Sequence, residues 1–301
     1  MDVQRLRILR ELADRGSVTA VAAALAYTPS AISQQLKALT AEVGMPLTEP
    51  AGRGLRLTDA GQVLVAEAEH VLAALARADA AVERLRTRPH GLVRMALFPS
   101  GARMMLAGLL RRIAGSGVDL QVRDVDMTPA QVTGLAGDYD LVVTHRDEHR
   151  EPLVSSRHRV VPLVREPLDV VLPPGHPLAA RRRLRSADLA DEPWISVNVG
   201  WPVDDVLGSL TTLTGARPRV VQRINDFAVT EELVAAGVGV ALLPRWSTDD
   251  RGGRRFARRP LAGVRAARMV EVVMRESVAE RPAVRLVVEA LQSATAEATA
   301  R

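Results

Sequence analysis

Ser30, Ser33, Gln34 and Lys37 are the residues whose types and spacing first suggest chemistry. Over Pro29 to Val43 the apolar residues Ile32, Leu36, Leu39 and Val43 recur at helical spacing, which leaves the opposite face to those four polar side chains. Hydroxyl and amide groups both donate and accept at base edges, and an ammonium neutralises phosphate. A helix carrying this set therefore suits the major groove of DNA. On an isolated helix the same face would simply be solvated, so its neighbours have to carry the argument.

Those neighbours predict two further helices. Leu6, Leu9, Leu12 and Ala13 recur at helical spacing over Val3 to Asp14, and Gly16 supplies a stop. Ser17 is placed to cap the alanine-dense run VTAVAAALA. After the tight Ala26-Tyr27-Thr28 turn, Thr28 and Pro29 open the third helix, which Gly44 and Pro46 end. A supporting helix followed by two helices across a tight turn is the order of a DNA-reading helix-turn-helix. Next comes MPLTEPAGRGLRLT, two short apolar stretches around a Gly-rich bend, as in a β-hairpin wing that directs Arg53 and Arg56 at backbone phosphates.

Thr58 caps a helix expected to run to Arg88, longer than a globular core usually needs. Leu64, Ala68, Val71, Leu75, Ala78, Val82 and Leu85 alternate in steps of four and three, a heptad seam that predicts a homodimer through this linker helix. Pro89-His90-Gly91 then breaks the pattern. Strands are expected at Leu92–Phe98, Val118–Val125 and Asp140–Thr144, with helices at Ala102–Ala114 and Pro129–Ala136. A second lobe follows, with strands at Leu168–Leu172, Trp194–Val197, Arg219–Arg223 and Val238–Leu243 and helices at Val203–Leu213 and Glu231–Ala236. Met269–Met274 and the helix Ala283–Thr295 close the chain. Such alternation predicts parallel sheets.

Ligands of a two-lobed α/β domain sit between the lobes, at loops that follow strand ends, where helix N-termini favour anions. The loops in question carry Ser100 and Gly101, Thr128, His145, Asn198, Val199 and Gly200, and Asn225, Asp226 and Phe227. Taken singly, Ser100, Thr128 and Asn225 read as helix caps; their convergence on one cleft makes them an effector site.

Composition narrows the classes. With no cysteine, the chain has neither disulfides nor thiolate metal sites, and no metal or other cofactor is expected. His145 and His149 have a metal-binding spacing for a helix, but they fall at a strand exit and read as a solvated loop, as does the run Arg181, Arg182, Arg183 and Arg185. Net charge adds nothing to the DNA reading: residues 1–90 hold 11 basic against 10 acidic residues, leaving most of the total +5 elsewhere. No secretion signal or membrane span is visible, so the protein is expected in the cytoplasm with no membrane partner.

TPSAISQQLKAL, GRGLRLTDAG and EELVAAGVGVALLP resemble the LysR-type family of bacterial transcriptional regulators, and the resemblance covers essentially the whole chain. It implies an α/β protein with an all-α N-terminal part: a winged helix-turn-helix at 1–57, a linker and dimerisation helix at 58–88, and a two-lobed, periplasmic-binding-protein-like effector domain at 91–301. Lobe I would take about 91–160 and 267–301, and lobe II about 161–266. Implied partners are an inverted-repeat site in double-stranded DNA, a small-molecule effector, and further copies of the chain, commonly as a homotetramer. DNA contacts would fall on Ser30, Ser33, Gln34 and Lys37, with Arg53 and Arg56 at the wing. The family usually has Leu-Phe-x-Arg where this chain reads Leu47, Thr48, Glu49, Pro50, so the usual phosphate-binding arginine and core aromatic are missing; Thr40 likewise replaces a usual glutamate. A transport receptor would lack the helix-turn-helix. An enzyme would need a clustered nucleophile, base and acid, which the sequence does not supply.

Overall fold

The computed structural model describes residues 1–51, 54–83, 89–215 and 218–300. The headpiece consists of α1 (Val3–Arg15), α2 (Val18–Leu25), α3 (Pro29–Val43), a hairpin of β1 (Thr48–Ala51) and β2 (Gly54–Leu57), and the start of α4 (Asp59–Glu83). Its helix ends follow from local chemistry. Asp2 accepts the Gln4 amide at 2.7 Å, Ser17 Oγ accepts Ala20 N–H at 3.1 Å, and Thr28 Oγ1 accepts Ala31 N–H at 3.2 Å. Gly16 and Gly44 close α1 and α3 with φ near +70°. Leu6, Leu9, Leu12, Val21, Ile32, Leu36 and Leu39 bury together, so the three helices share one core with Leu47 and the first turns of α4.

The remainder is α/β. In order come β3 (Gly91–Leu97), a continuous helical run made of α5 (Pro99–Gly101), a π turn at Ala102–Leu106 and α6 (Ala107–Ile113), then β4 (Val118–Asp124), α7 (Val132–Asp138) and β5 (Leu141–Asp147). The long β6 (His158–Leu172) leads to β7 (Leu184–Arg185), β8 (Pro193–Ser196), α8 (Pro202–Thr214), β9 (Arg219–Arg223), α9 (Phe227–Ala235), β10 (Val240–Pro244) and β11 (Ala257–Ala262). β12 (Ala267–Arg275), α10 (Glu276–Ala279) and α11 (Pro282–Thr299) return to the first lobe.

The expected parallel sheets exist only in part. β4, β3 and β5 run parallel, as do β9, β8 and β10, but β12 and β6 lie between the two sets and run antiparallel to their neighbours, giving the order β4-β3-β5-β12-β6-β10-β8-β9. β6 carries the chain out and β12 carries it back. The first half of β6 pairs with β12, and from Leu168 onward it pairs with β10 and β11. Each lobe keeps its own core, one around Leu97, Leu141 and Val272, the other around Trp194, Leu242 and Val170.

Helix α4 divides the expected heptad seam. Ala68 is buried in the headpiece core with Leu64 against it, whereas Val71, Leu75 and Val82 are 42%, 44% and 67% exposed; Leu85 lies outside the described residues. Another face, with Val65, Glu69, Leu72 and Ala73, is buried and packs on α1 and α10.

That buried face belongs to an ionic junction between headpiece and first lobe. Arg275, at the end of β12, bonds Glu11 at 2.7 Å and Asp14 at 2.6 Å on α1, and Arg157 also pairs with Asp14. Glu69 accepts the amide and hydroxyl of Ser277 at 2.9 and 2.7 Å and lies 3.4 Å from Arg10. Arg15 bonds Asp138 at 2.7 Å. Burial pushes the Glu11 carboxyl up, but Arg275 and Arg10 outweigh burial and hold it at about 2. His158, beside this junction, is pushed down to about 4 by burial and by Arg157, Arg275 and Arg10. The unfolded chain takes up a proton at His158 near pH 6.5 while the folded protein does not until about 4, so stability present above 6.5 is lost as pH falls through that window. Glu11 acts in a lower window, down to about 2. Chemical denaturation of His158→Gln between pH 7 and 4 should accordingly show a flatter profile, recovering on the order of 2 kcal/mol at the acid end. An unchanged slope would remove His158 as the cause.

Candidate DNA-reading face and effector cleft

On α3, Ile32, Leu36 and Leu39 are buried, Ser30, Gln34 and Lys37 are exposed, and Ser33 is half-buried. Ser30 Oγ lies 3.0 Å from Thr28 Oγ1, at the helix cap. Gln34 and Lys37 have no hydrogen bond or ion pair among the described residues, so their polar ends face water. At the wing, Arg56 is exposed and its guanidinium sits 2.7 Å from Glu49, its cross-strand partner; Arg53 lies outside the described residues. The carboxylate of Glu49, where the family usually has a different pattern, thus competes with phosphate for Arg56. An exposed pair of this kind contributes about 1 kcal/mol or less, so it does not lock the arginine.

The hairpin is tied to α4 at one point. Thr58 Oγ1 donates to Pro46 C=O at 2.7 Å and accepts Gly61 N–H at 3.1 Å, while Thr58 N–H bonds Leu47 C=O at 3.1 Å. Gly61 packs so closely that a Cβ there would lie 2.1 Å from the Leu47 carbonyl oxygen. Sequence reasoning assigned Thr58 the cap but gave Gly61 no role.

The second site is a cavity of about 320 Å³ between the lobes. One wall presents Phe98, Ser100, Arg103, Asp126 and His145, the other Trp201, Asn225, Asp226 and Phe227. Two bonds cross from wall to wall: Asn225 Nδ2 donates to Asp126 at 3.1 Å, and Arg103 reaches Glu231 at 3.1 Å. Beneath them Arg268, buried in β12, donates to Glu166 at 2.8 Å and to Ser100 Oγ at 3.0 Å. Its guanidinium lies 4.9 Å from the Phe98 ring centroid and 5.9 Å from that of Phe227, so one cation supports an aromatic ring from each lobe. The His145 ring meets Phe98 edge to face at 4.6 Å; burial and then Arg268 keep it well below its usual value, so it is neutral.

Of the loop residues named from sequence, Ser100, His145, Asn225, Asp226 and Phe227 line this cavity together. The structure places the others differently. Gly101 is buried under the Phe98 ring, which a Cβ would approach to 2.6 Å, and so serves packing. Thr128 is occupied with Gln131, whose side chain accepts from its amide and hydroxyl at 2.9 and 3.0 Å, as a cap does. Asn198 donates its amide to Asn225 Oδ1 at 2.9 Å, and Val199 is 74% exposed beside Gly200, away from the cavity lining. Sequence reasoning missed Arg103, Asp124, Asp126, Trp201 and Arg268. For Arg268 a signal existed, a charge inside the apolar run ARMVEVVM. His149 lies 3.4 Å from the Arg265 carbonyl while His145 sits against Phe98, and among the described residues no three His, Asp or Glu side chains form a metal site.

Comparison with known proteins matches residues 3–62 to the bacterial regulatory helix-turn-helix proteins of the lysR family and residues 86–296 to the LysR substrate binding domain. The chain belongs to the LysR family. A curated relative, the small neutral protease regulatory protein of Streptomyces coelicolor, is 31% identical over 272 residues, covering 88% of this chain and 80% of its own. Two solved structures share the fold. A full-length OxyR variant from Pseudomonas aeruginosa has a TM-score of 0.64 at 20% identity, covering 97% of this chain and 98% of its own; full-length CbnR in complex with its target DNA has 0.54 at 23%, covering 98% and 100%. As a LysR-type protein, this chain is a DNA-binding transcriptional regulator whose effector domain responds to a small molecule, and its partners are DNA and that effector.

Proposed function

We propose that this LysR-type regulator reads an inverted-repeat site as a homodimer, with Ser30, Ser33, Gln34 and Lys37 of α3 in the major groove and Arg53 and Arg56 at flanking phosphates. The observation that carries this reading is the polarity of α3: its aliphatic edge is held by α1 and α2, while Gln34 and Lys37 project into water without partners among the described residues. Val71, Leu75 and Val82 supply an exposed apolar stripe on α4 for a second copy, on which a tetramer can be built. Residues 1–57 then serve DNA, 58–88 the dimer, and 91–301 the effector.

The cavity between the lobes, with Ser100, His145, Asn225, Asp226 and Phe227 in its walls, is the effector site. We read it as a binding site and the protein as a non-enzyme. Ser100 Oγ accepts from Arg268 and Asp226 caps α9, so both are committed to holding the walls in place. Action on DNA places the protein in the cytoplasm, and no described helix is long and apolar enough to cross a membrane.

Footprinting on the promoter region of its own gene should protect half-sites separated by about 34 Å or a multiple of it. Gln34→Ala should relax base preference, at about 1–3 kcal/mol for the base pair it reads, whereas Lys37→Ala should weaken binding across all sequences and reduce the salt slope by about 1. Fluorescence anisotropy on matched and mismatched duplexes at several salt concentrations separates the two. Equal loss of discrimination in both variants would undo the division of roles.

A further inference from the structure

The seam between the headpiece and the first lobe is lined by charge. On α1, Leu9 and Leu12 face the headpiece core, while Glu11, Asp14 and Arg15 reach across to the lobe. Arg275 meets Glu11 and Asp14, Arg157 meets Asp14, and Arg15 meets Asp138. Among the described residues, the headpiece core contains no side chain of the lobe, and neither lobe core on this side contains one of the headpiece. An apolar contribution comes from Leu72 and Ala73 of α4, buried where that helix packs on α10.

A contact of this composition fixes geometry more than it adds stability. Desolvating two charges offsets much of their attraction, and polar contacts between separately cored units permit relative motion. The closed seam also leaves polar atoms unsatisfied: Arg10 Nε, Arg157 Nε, Arg275 Nε and His158 Nε2 are all buried without a hydrogen-bond partner among the described residues. Opening returns such atoms to water, which offsets part of what the broken bonds lose. The arginines oppose one another as well. Burial and Arg275 push the Arg10 guanidinium down, and burial, Arg275 and Arg10 do the same to Arg157.

Resting on the reading of α3 as the recognition helix, we infer that this seam is a releasable clasp on the DNA-reading unit, closed by Arg275 of the first lobe between Glu11 and Asp14 of α1. The same helix holds α3 from its other side: Leu9 and Leu12 bury with Ile32, Leu36 and Leu39, and Arg5 donates to Gln35 at 3.0 Å. While the seam is closed, α3 therefore keeps one orientation relative to the first lobe. Gln34 and Lys37 stay exposed in that state, so the clasp orients the reading face and does not cover it. Without Arg275, two buried carboxylates lose their shared cation, and opening the seam hydrates them without unfolding either unit.

Because the chain has no cysteine, Ala24→Cys on α2 and Ala114→Cys after α6, both exposed, can carry a pair of spin labels across the seam of the full-length protein. Pulsed electron paramagnetic resonance, with excess unlabelled protein to isolate distances within one chain, should give one narrow distribution. Adding Arg275→Met or the isosteric Asp14→Asn should broaden it, and Arg275→Lys, which keeps a cation, should fall between. Unlabelled Arg275→Met should bind duplex DNA at low salt within about twofold of the wild type, since the seam lies away from the reading face. A distribution that is broad before either change, or that stays narrow with either, overturns the clasp. An affinity that rises by about tenfold in Arg275→Met overturns the orienting role, because the closed seam would then be withholding the reading face. If the wild type binds no duplex, the reading of α3 fails and the distances alone decide the clasp.

Discussion

Arg268→Met should lower the unfolding free energy by about 3–5 kcal/mol, because it leaves a fully buried carboxylate without its cation. Glu166 is completely inaccessible, and apart from Arg268 only the Trp246 amide, at 3.1 Å, supports it among the described residues. Methionine fills much of the volume under Phe98 and Phe227, so the loss arises from charge rather than from a cavity. The double variant Arg268→Met with Glu166→Leu should therefore recover most of the stability, since a buried ion pair exchanged whole for apolar groups is often neutral or better. Urea unfolding of the wild type and the two variants checks both statements. If the double variant is as unstable as the single, the pair is not the origin of the effect.

Gly61→Ala has the second largest expected effect, and its sign depends on two opposed magnitudes. In the interior of a helix, alanine is favoured over glycine by about 1 kcal/mol. Here the added carbon would meet a backbone carbonyl oxygen at 2.1 Å, with the Leu57 side chain at 3.3 Å, and neither the hairpin nor α4 can yield without losing the Thr58 bonds. Overpacking against the main chain costs about 3 kcal/mol, so the net change is destabilising by about 2 kcal/mol, and the wing should shift relative to α3, lowering DNA affinity. Gly208→Ala on α8 is the control. Nothing lies within 4 Å of its Cβ position, and it should stabilise by about 0.5–1 kcal/mol. A neutral Gly61→Ala with unaltered DNA binding would show that the close contact yields at no cost.

The contrast between these glycines reflects what a sequence discloses. Helix ends in the headpiece were legible because caps act within three or four residues: Ser17, Thr28 and Gly44 each satisfy or end their own helix. Contacts between distant segments were not. The first half of β6 reads as a charged loop with Pro162 and Pro167, yet it forms a strand because β12 pairs with it from a hundred residues away. β11, rich in arginine and holding Pro260, is likewise a strand through distant partners, β6 and β7. In the cleft, residues on loops leading into helices were found from pattern, whereas Asp124, Asp126 and Trp201 carry no local sign that two lobes will bring them together. Glu69 is the same case in α4. A glutamate in an amphipathic helix reads as solvated, and only Ser277 and Arg10 explain its burial.

β12 begins against the cleft with Arg268 and ends against α1 with Arg275, and it is bonded along its length by β5 on one side and β6 on the other. At about 3.3 Å per residue, the two arginines stand roughly 23 Å apart on one strand, whose register against β6 shifts once, between Val270 and Glu271. One strand thus joins the interlobe cavity to the headpiece, and a displacement at either end has a bonded backbone to travel along. Whatever moves Ser100 or the rings above Arg268 pulls on the same backbone that grips Glu11 and Asp14 at its far end.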